Sequence, residues 1–262
     1  MDCLRCVYKS AMSRRDPHKH RKSSHGGKSD GLWLYGPHAV KAALANKNRR
    51  VLRAVLTTNA AAEIGPELLG RVRHEIADTE TISRLLPQGA VHQGVALQCE
   101  PLPKHGLDGA IGPASETRRI VLVLDQITDP QNTGAILRTA AAFGASAVVV
   151  QDRHAPPESG ALAKAASGAL DIVPIATVVN ISRALEELSE LGFWRVALAG
   201  DGEASLKEAL HTGDIAFVLG SEGAGIRRLV RENCDQAAFI PIATESLNVS
   251  NAAAIALYEL RR

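Results

Sequence analysis

An arginine within an apolar helix is the first feature of this 262-residue sequence that suggests chemistry. Arg138 follows a polar loop with Pro130, in which Asn132 is predicted to be the N-cap, and lies about one and a half turns into the helix. A guanidinium among Ala, Ile, Leu and Phe is costly to remove from water unless it meets an anion. We therefore expect Arg138 to bind an anionic ligand or, alternatively, to form an internal salt bridge with Asp125 or Asp129.

A glycine-rich segment follows a later apolar run. The residues at 220–225, Gly-Ser-Glu-Gly-Ala-Gly, place Glu222 among glycines, which permit positive φ and let a flat ligand approach the backbone. The pattern is not G-x-G-x-x-G, and that fingerprint does not follow Asp125 either. A conventional dinucleotide site or a Rossmann methyltransferase site is therefore disfavoured.

A third polar segment, at 240–255, contains four hydroxyl or amide side chains close together: Ser246, Asn248, Ser250 and Asn251. Capping of the helix that follows explains Ser250. Capping does not require Ser246 and Asn248, so these two are candidate site residues.

Alternating strands and helices are predicted to position these three segments. Continuously apolar, β-branched runs, typical of strands buried on both faces, occur at 119–125, 145–151, 171–175, 193–199, 215–220 and 237–241. Helices are predicted at 133–143, 158–168, 181–191, 226–232 and 250–261. The pattern indicates an α/β domain with a parallel sheet between helices, in which ligands bind beyond the carboxyl ends of the strands.

A smaller α/β unit precedes this domain. A turn at Gly36-Pro37 begins a helix that ends at Ala45, and a strand at 51–57, a helix at 63–77 and a strand at 95–99 follow. Three prolines and three glycines interrupt the periodicity over 101–117. We expect a small domain at 31–103, a linker at 104–118 and a second domain at 119–262.

The charge is unevenly distributed along the chain. Residues 1–30 carry eight Lys or Arg against three Asp, a net +5, whereas the other 232 residues carry 22 basic and 25 acidic side chains, a net −3. We predict a disordered basic tail at 1–30 that attracts nucleic-acid phosphate or, alternatively, only aids solubility. Within it, Cys3 and Cys6 lack two further ligands at a recognisable spacing, so no metal site is expected.

Composition excludes several classes of protein. With 45% apolar and 22% charged residues the chain matches an ordinary globular protein, and no apolar run approaches the roughly 20 residues that span a bilayer. Four cysteines in so long a chain do not form a disulfide framework. We expect a cytoplasmic protein without a membrane partner.

The three polar segments together resemble a known family. Asn132-x-Gly-Ala-Ile-x-Arg-Thr-Ala, then Gly-Ser-Glu-Gly-x-Gly, then Ile-Pro-Ile with Ser-Leu-Asn-Val-Ser resemble, in order, the three motifs of the SpoU/TrmH family of SPOUT RNA 2′-O-methyltransferases. The segment Leu-Tyr-Gly-Pro-His-Ala-Val-x-Ala-Ala-Leu resembles the L30e-like RNA-binding domain of RlmB-type members, which methylate a guanosine of 23S rRNA. The basic tail and the short loop before Ser246 depart from the family pattern.

The resemblance implies an L30e-like α/β domain followed by a trefoil-knotted SPOUT domain that binds S-adenosylmethionine and works as a homodimer. It places the methyl donor against the second and third motifs, at Leu219, Gly220, Gly223, Ile240, Ile242 and Leu247. The residues themselves favour the same place, because adjoining strand ends there offer an apolar slot with backbone partners for an adenine.

Methyl transfer to a ribose hydroxyl is an in-line displacement, so its main tasks are positioning and removal of the hydroxyl proton. A guanidinium stays protonated in proteins and is therefore a poor base. We therefore expect Arg138 to orient or electrostatically activate the target nucleotide, while a network of side chains supports it: Asn132, Glu222, Ser246 and Asn248.

Two alternatives stay open from the sequence alone. The substrate could be tRNA, although the front domain favours rRNA. The protein could also be a noncatalytic RNA-binding or ribosome-assembly factor, although binding alone does not need the motif residues. An RNA partner is expected in every case, and a DNA partner in none.

Overall fold

The computed structural model describes residues 31–114 and 116–262. The predicted basic tail and its two cysteines lie outside the described residues. Within residues 31–262 the chain forms two sheets.

The front sheet has four strands in the order β1-β4-β2-β3. Its strands are β1 Leu32–Tyr35, β2 Val51–Leu56, β3 His74–Ile76 and β4 Val95–Cys99. β4 runs antiparallel to both β1 and β2, and β3 is parallel to β2. The helices of this part are α1 Pro37–Ala45, α2 Thr58–Ile64, α3 Pro66–Leu69 and α4 Thr79–Arg84.

The predicted helix at 63–77 is wrong. Gly65 has φ 90°, a backbone conformation that ends α2, and Pro66 begins the short α3. His74–Ile76 then pairs with β2 as a strand. The helix-breaking residues Gly65 and Pro66 therefore outweighed the helical spacing of the apolar residues. Strand β1 was also not predicted.

The second sheet has seven parallel strands in the order β7-β6-β5-β10-β8-β11-β9. Its strands are β5 Ile120–Asp125, β6 Ala147–Gln151, β7 Ile175–Val178, β8 Trp194–Leu198, β9 Ala204–Ser205, β10 Ile215–Gly220 and β11 Gln236–Phe239. The helices are α5 Leu107–Ile111, α6 Pro130–Ala142, α7 Gly160–Ala166, α8 Ile181–Glu190, α9 Leu206–Ala209, α10 Arg228–Glu232 and α11 Val249–Arg261, with a 3₁₀ turn at Ala169–Asp171. The predicted α/β class with a parallel sheet between helices is confirmed.

One predicted strand lies in the wrong place. The run at 171–175 begins at Asp171, the last residue of the 3₁₀ turn, and β7 starts only at Ile175, where it pairs with Val148 of β6. Pro174 has no N–H, so regular pairing begins after it. The short β9 and α9 were not predicted.

Both faces of the seven-stranded sheet are buried, as its apolar strands require. Along β5, Leu122 and Leu124 belong to one core cluster while Val121 and Val123 belong to the other, the alternation expected of a strand. Helix α5, within the predicted linker, buries Leu107 in the second cluster. No helix of the described residues is long and apolar enough to cross a membrane.

Candidate active site

A cavity of about 870 Å³ opens at the carboxyl ends of β8, β10 and β11. Parallel strands bring these ends to one edge of the sheet, where the polar loops of the chain converge. All six predicted cofactor residues line it, namely Leu219, Gly220, Gly223, Ile240, Ile242 and Leu247. Leu219 is buried and Ile242 is 40% exposed, so the lining runs from the core to the surface.

The glycine-rich loop after β10 folds back on itself. Gly225 N–H donates to the carbonyl of Ser221 at 2.9 Å, and Gly223 and Gly225 have φ of 86° and 67°. A Cβ at Gly220 would lie 2.2 Å from the carbonyl carbon of Gly225. Glycine is therefore required at 220 by the loop's own backbone, and a larger residue there would displace the loop rather than fill the cavity.

Three predicted site residues form a closed network. The Asn248 amide donates to Glu222 Oε1 at 2.7 Å and to Asn132 Oδ1 at 2.9 Å. The Asn132 amide donates to the same Glu222 oxygen at 3.1 Å. One side chain comes from each of the three motifs, so the network joins α6, the glycine-rich loop and the start of α11.

Asn248 also caps α11. Its Oδ1 accepts the Ser250 backbone N–H at 2.9 Å and the Ser250 hydroxyl at 2.5 Å. The prediction that capping accounts for Ser250 and not for Asn248 is wrong, because Ser250 lies inside the helix that Asn248 caps. Ser246 is exposed and lines the cavity.

The N-cap of α6 is Asp129 and not Asn132. The Asp129 carboxylate accepts the backbone N–H groups of Gln131 and Asn132 at 3.2 and 3.1 Å, and Pro130 occupies the first helical position. The helix therefore begins three residues before the predicted Thr133. This cap leaves the Asn132 amide free to join the network.

Arg138 is exposed on α6, and it is not among the residues that line the cavity. Within residues 31–114 and 116–262 its guanidinium has no hydrogen bond or ion pair. The expected internal salt bridge is wrong, because Asp125 pairs with Arg227 and Asp129 caps the helix. The premise that Arg138 is removed from water is wrong as well, since the apolar residues of α6 turn away from it.

Asp125 has a structural partner that the sequence analysis missed. Its fully buried carboxylate accepts the Arg227 backbone N–H at 2.9 Å and the Arg227 Nε at 2.8 Å. Arg227 also donates to Gln151 Oε1 at 3.1 Å. The pairing ties the end of β5, and through Gln151 the end of β6, to the segment after the glycine-rich loop.

The end of β8 contributes a cavity wall that was not predicted. The cavity is lined there by Leu198, Ala199, Gly200 and Asp201, and Arg231, which also lines it, donates to Asp201 Oδ2 at 2.7 Å. The hydrogen bond and charge of Arg231 lower the pKa of Asp201. The predicted strand at 193–199 could have indicated this wall, because its carboxyl end shares an edge with β10.

The fold and the cavity define an α/β protein with a small-molecule site beyond a parallel sheet. The sequence model of the SpoU rRNA Methylase family matches residues 119–258, and the model for RNA 2′-O ribose methyltransferase substrate binding matches residues 33–105. The chain belongs to the SpoU rRNA methylase family.

Named relatives span most of the chain. The 23S rRNA (guanosine-2′-O-)-methyltransferase RlmB of Vibrio vulnificus is 35% identical over 239 residues, which cover 88% of this chain and 96% of that protein. An uncharacterized tRNA/rRNA methyltransferase of Synechocystis sp. is 39% identical over 238 residues, 87% of this chain but 62% of that protein. The SpoU methyltransferase AviRb of Streptomyces viridochromogenes, solved with the cofactor AdoMet, has a TM-score of 0.74 at 24% identity and covers 88% of this chain and 89% of its own. This structure shows the shared fold.

Proposed function

We propose that this protein transfers a methyl group from S-adenosylmethionine to the ribose 2′-hydroxyl of a guanosine in 23S rRNA. The observation that carries the proposal is the closed network of Asn132, Glu222 and Asn248 beside the cavity. The family membership and the RlmB relatives support the substrate. A 23S rRNA substrate implies action in the cytoplasm.

The cavity suits an adenosyl donor. Its size, about 870 Å³, lies in the range of roughly 300–1,000 Å³ found for small-molecule sites. Leu198, Leu219 and Ile240 provide apolar lining for an adenine, and the loops at 220–225 and 240–248 offer backbone groups to its edge. The residues present therefore fit the donor.

S-adenosylmethionine supplies an electrophilic methyl group on a sulfonium sulfur. The chain must then place a ribose oxygen in line with that methyl group and find an acceptor for the hydroxyl proton. We propose that Glu222 orients the reacting groups at the opening of the cavity. Its Oε1 is itself held in place by two amide donors, Asn132 and Asn248. Arg138 holds the nucleotide near its phosphate, with Ser246 as a further polar group at the cavity wall.

We propose that a second copy of the chain completes the site. Arg138 shares the exposed side of α6 with Gln131, and the neighbouring α11 exposes Ile255 and Tyr258, which are 37% and 59% exposed. Arg261 at the end of α11 donates to the Phe143 carbonyl at the end of α6, at 2.8 Å, so the two helices present one surface. Covering that surface would bury the apolar side chains and place Arg138 at a subunit boundary.

Sedimentation of the wild-type protein and of Tyr258→Glu tests the second copy. We expect the wild-type protein to sediment as a dimer and Tyr258→Glu as a monomer. A wild-type monomer at micromolar concentration would exclude the dimer.

The noncatalytic alternative and the tRNA alternative are less well supported. Pure RNA binding does not require three motifs to converge on one amide–carboxylate network next to a cavity. The RlmB relatives, which are named for a guanosine of 23S rRNA and match 88% of this chain, favour an rRNA substrate over tRNA. Mapping 2′-O-methyl positions in total RNA from cells with and without the protein decides among the three: a lost 23S guanosine mark supports the proposal, a lost tRNA mark replaces the substrate, and no change favours the noncatalytic alternative.

Donor binding can be tested by a steric block at Gly200. A Cβ at Gly200 would meet only the Glu245 carbonyl oxygen, at 4.0 Å, and both residues line the cavity. A leucine at 200 should therefore occupy the cavity without strain elsewhere, and we expect Gly200→Leu to weaken S-adenosylmethionine binding by about 100-fold in calorimetry. Gly109→Leu, in the exposed part of α5, is the control and should bind normally. Unchanged affinity in Gly200→Leu would mean that the donor lies elsewhere.

A further inference from the structure

A buried cluster of charges joins the two sheets. The Arg49 side chain, in the loop after α1, is fully buried and lies against Glu158, just before α7, and Asp171, in the 3₁₀ turn after α7. Arg49 Nε and Nη2 donate to the two Asp171 oxygens at 2.9 and 3.0 Å, a bidentate pair. Arg49 Nη1 donates to Glu158 and to the Glu100 carbonyl.

Every carboxylate oxygen of the cluster has a donor. Asn46 Nδ2 donates to Asp171 Oδ1 at 3.0 Å, and the Leu102 backbone N–H donates to Glu158 Oε2 at 2.8 Å. Burial acts to lower the pKa of Arg49, but the hydrogen bonds and charges of Asp171 and Glu158 outweigh it and raise that pKa above its ordinary value. The donors to both carboxylates come from residues 46–102 and the carboxylates from residues 158–171, so these ion pairs and hydrogen bonds join the two parts of the chain.

The backbones also approach closely at the same boundary. A Cβ at Gly160 would lie 2.4 Å from the Tyr35 ring and 2.6 Å from the Trp33 carbonyl oxygen. Gly168, with φ 95°, would place a Cβ 3.0 Å from the His38 carbonyl oxygen. Buried residues of α1 and α7 belong to one continuous apolar cluster. The contact between the two parts therefore combines shape, apolar burial and a saturated ionic cluster.

We infer that Arg49 is a positioning residue that, with Asp171 and Glu158, holds the four-stranded sheet fixed against the methyl-transfer part of the chain. RNA bound by the front part is then presented to the cavity at a set distance. The presentation of RNA to the cavity rests on the proposed function. The fixed docking of the four-stranded sheet does not depend on RNA. If the front part moved freely, the bidentate pair of Arg49 and Asp171 would be exposed to water, but both side chains are buried.

Hydrogen exchange tests whether the four-stranded sheet is fixed against the second part of the chain. Arg49→Met removes the fork but leaves two buried carboxylates, so we add Arg49→Met/Glu158→Gln/Asp171→Asn, which removes the charges together. Both variants should exchange amides in α1 and α7 about tenfold faster or more, with β5 and β10 unchanged. Arg50→Met is the matched control, because the neighbouring Arg50 is 75% exposed and pairs only at the surface with Glu100.

Kinetics test the consequence. On in-vitro transcribed 23S rRNA we expect kcat/KM for RNA to fall about 10- to 100-fold in the triple variant, because a small misplacement of a substrate is costly. The dissociation constant for S-adenosylmethionine should stay at the wild-type value. A merely structural role would reduce donor binding and RNA turnover together.

The outcomes separate the two proposals. Unchanged exchange in α1 and α7 of the triple variant overturns the fixed docking. Faster exchange with wild-type kcat/KM for RNA overturns the positioning role. A wild-type protein that methylates no RNA overturns the proposed function and the positioning role with it, while the exchange result still decides whether the sheets are fixed.

Discussion

Asn248 uses every polar atom of its amide. Its Oδ1 accepts from Ser250, and its two amide hydrogens go to Asn132 and Glu222. One residue therefore begins α11 and also holds the network beside the cavity. Such a residue can be changed so that one task is lost and the other kept.

Asn248→Asp keeps the capping oxygen and removes both donors. It also places a second carboxylate beside Glu222, and like charges in contact repel. We expect methyl transfer to fall by about 100-fold while the free energy of unfolding changes by about 1 kcal/mol or less, since the cap survives. Single-turnover methylation and chemical denaturation measure the two. Asn180→Asp, at the similarly capped start of α8, is the control and should leave both values unchanged; an active Asn248→Asp enzyme would remove the network from the mechanism.

Arg138 is exposed, so its effect on methyl transfer can be measured separately from any effect on stability. Surface substitutions usually change stability by within about 0.5 kcal/mol, so Arg138→Ala should melt like the wild type while losing methyl transfer. Arg138→Lys should also transfer poorly, because a point charge does not reproduce the planar fork. Donor affinity should be unaffected in both. The control is Arg183→Ala, an exposed arginine on α8 that pairs with Glu187. A fully active Arg138→Ala enzyme would contradict the assigned role.

At the scale of elements, a loop outside the site is held by hydrogen bonds as specific as those of the site. The loop between α4 and β4 is ordered by His92, which is 6% exposed. The Gly94 backbone N–H donates to its Nδ1 at 3.1 Å, and its Nε2 lies 3.0 Å from the Ser83 hydroxyl. Because Nδ1 accepts, the network assigns a neutral ring with its proton on Nε2.

Acid should therefore weaken this loop. Burial lowers the pKa of His92 below 6.5 in the folded protein, so the unfolded chain takes up the proton first as the pH falls. The stability from this residue is complete above the unfolded pKa and is lost as the pH falls through 6.5 towards the folded pKa. His92→Asn keeps an acceptor and does not titrate. Its stability deficit relative to the wild type, followed by thermal unfolding from pH 7.5 to 5, should shrink in acid; a constant deficit would show that the ring does not titrate differently on folding.

At the scale of the whole molecule, charge and chemistry lie in different parts of the chain. The body from residue 31 carries a net −3, whereas residues 1–30 carry a net +5. An RNA enzyme with a slightly acidic body gains long-range attraction to phosphate from such a segment.

Deletion of residues 1–30 should weaken RNA association mainly at low salt. Counterion release makes the logarithm of affinity fall with the logarithm of salt in proportion to the phosphates contacted, so the truncated protein should show a shallower slope. Donor affinity and melting temperature should not change. Filter binding of 23S rRNA fragments at several salt concentrations measures the slope, and an identical slope would leave the segment with a role in solubility only.

Much of the fold was predictable from local patterns. Continuous β-branched runs indicated β5, β6, β8 and β10 because a strand buried on both faces needs apolar residues at every position. The helix at 63–77 failed because a single glycine with positive φ and a proline overrode the apolar spacing. The helical spacing of apolar residues is a weak signal compared with a glycine of positive φ or a proline. It is also weak compared with strand pairing, which depends on residues distant in the sequence.

The sequence by itself determined the family, the order of the three motifs and the cavity-lining residues of the second and third motifs, though not those at the end of β8, because residue types and their spacing are local properties. Only the tertiary structure decided which partners those residues have: Asp125 binds Arg227 rather than Arg138, and Asn248 rather than Ser250 caps α11. The buried cluster around Arg49 joins residues more than a hundred positions apart. Such pairs arise from the packing of whole elements, and no spacing along the chain records them.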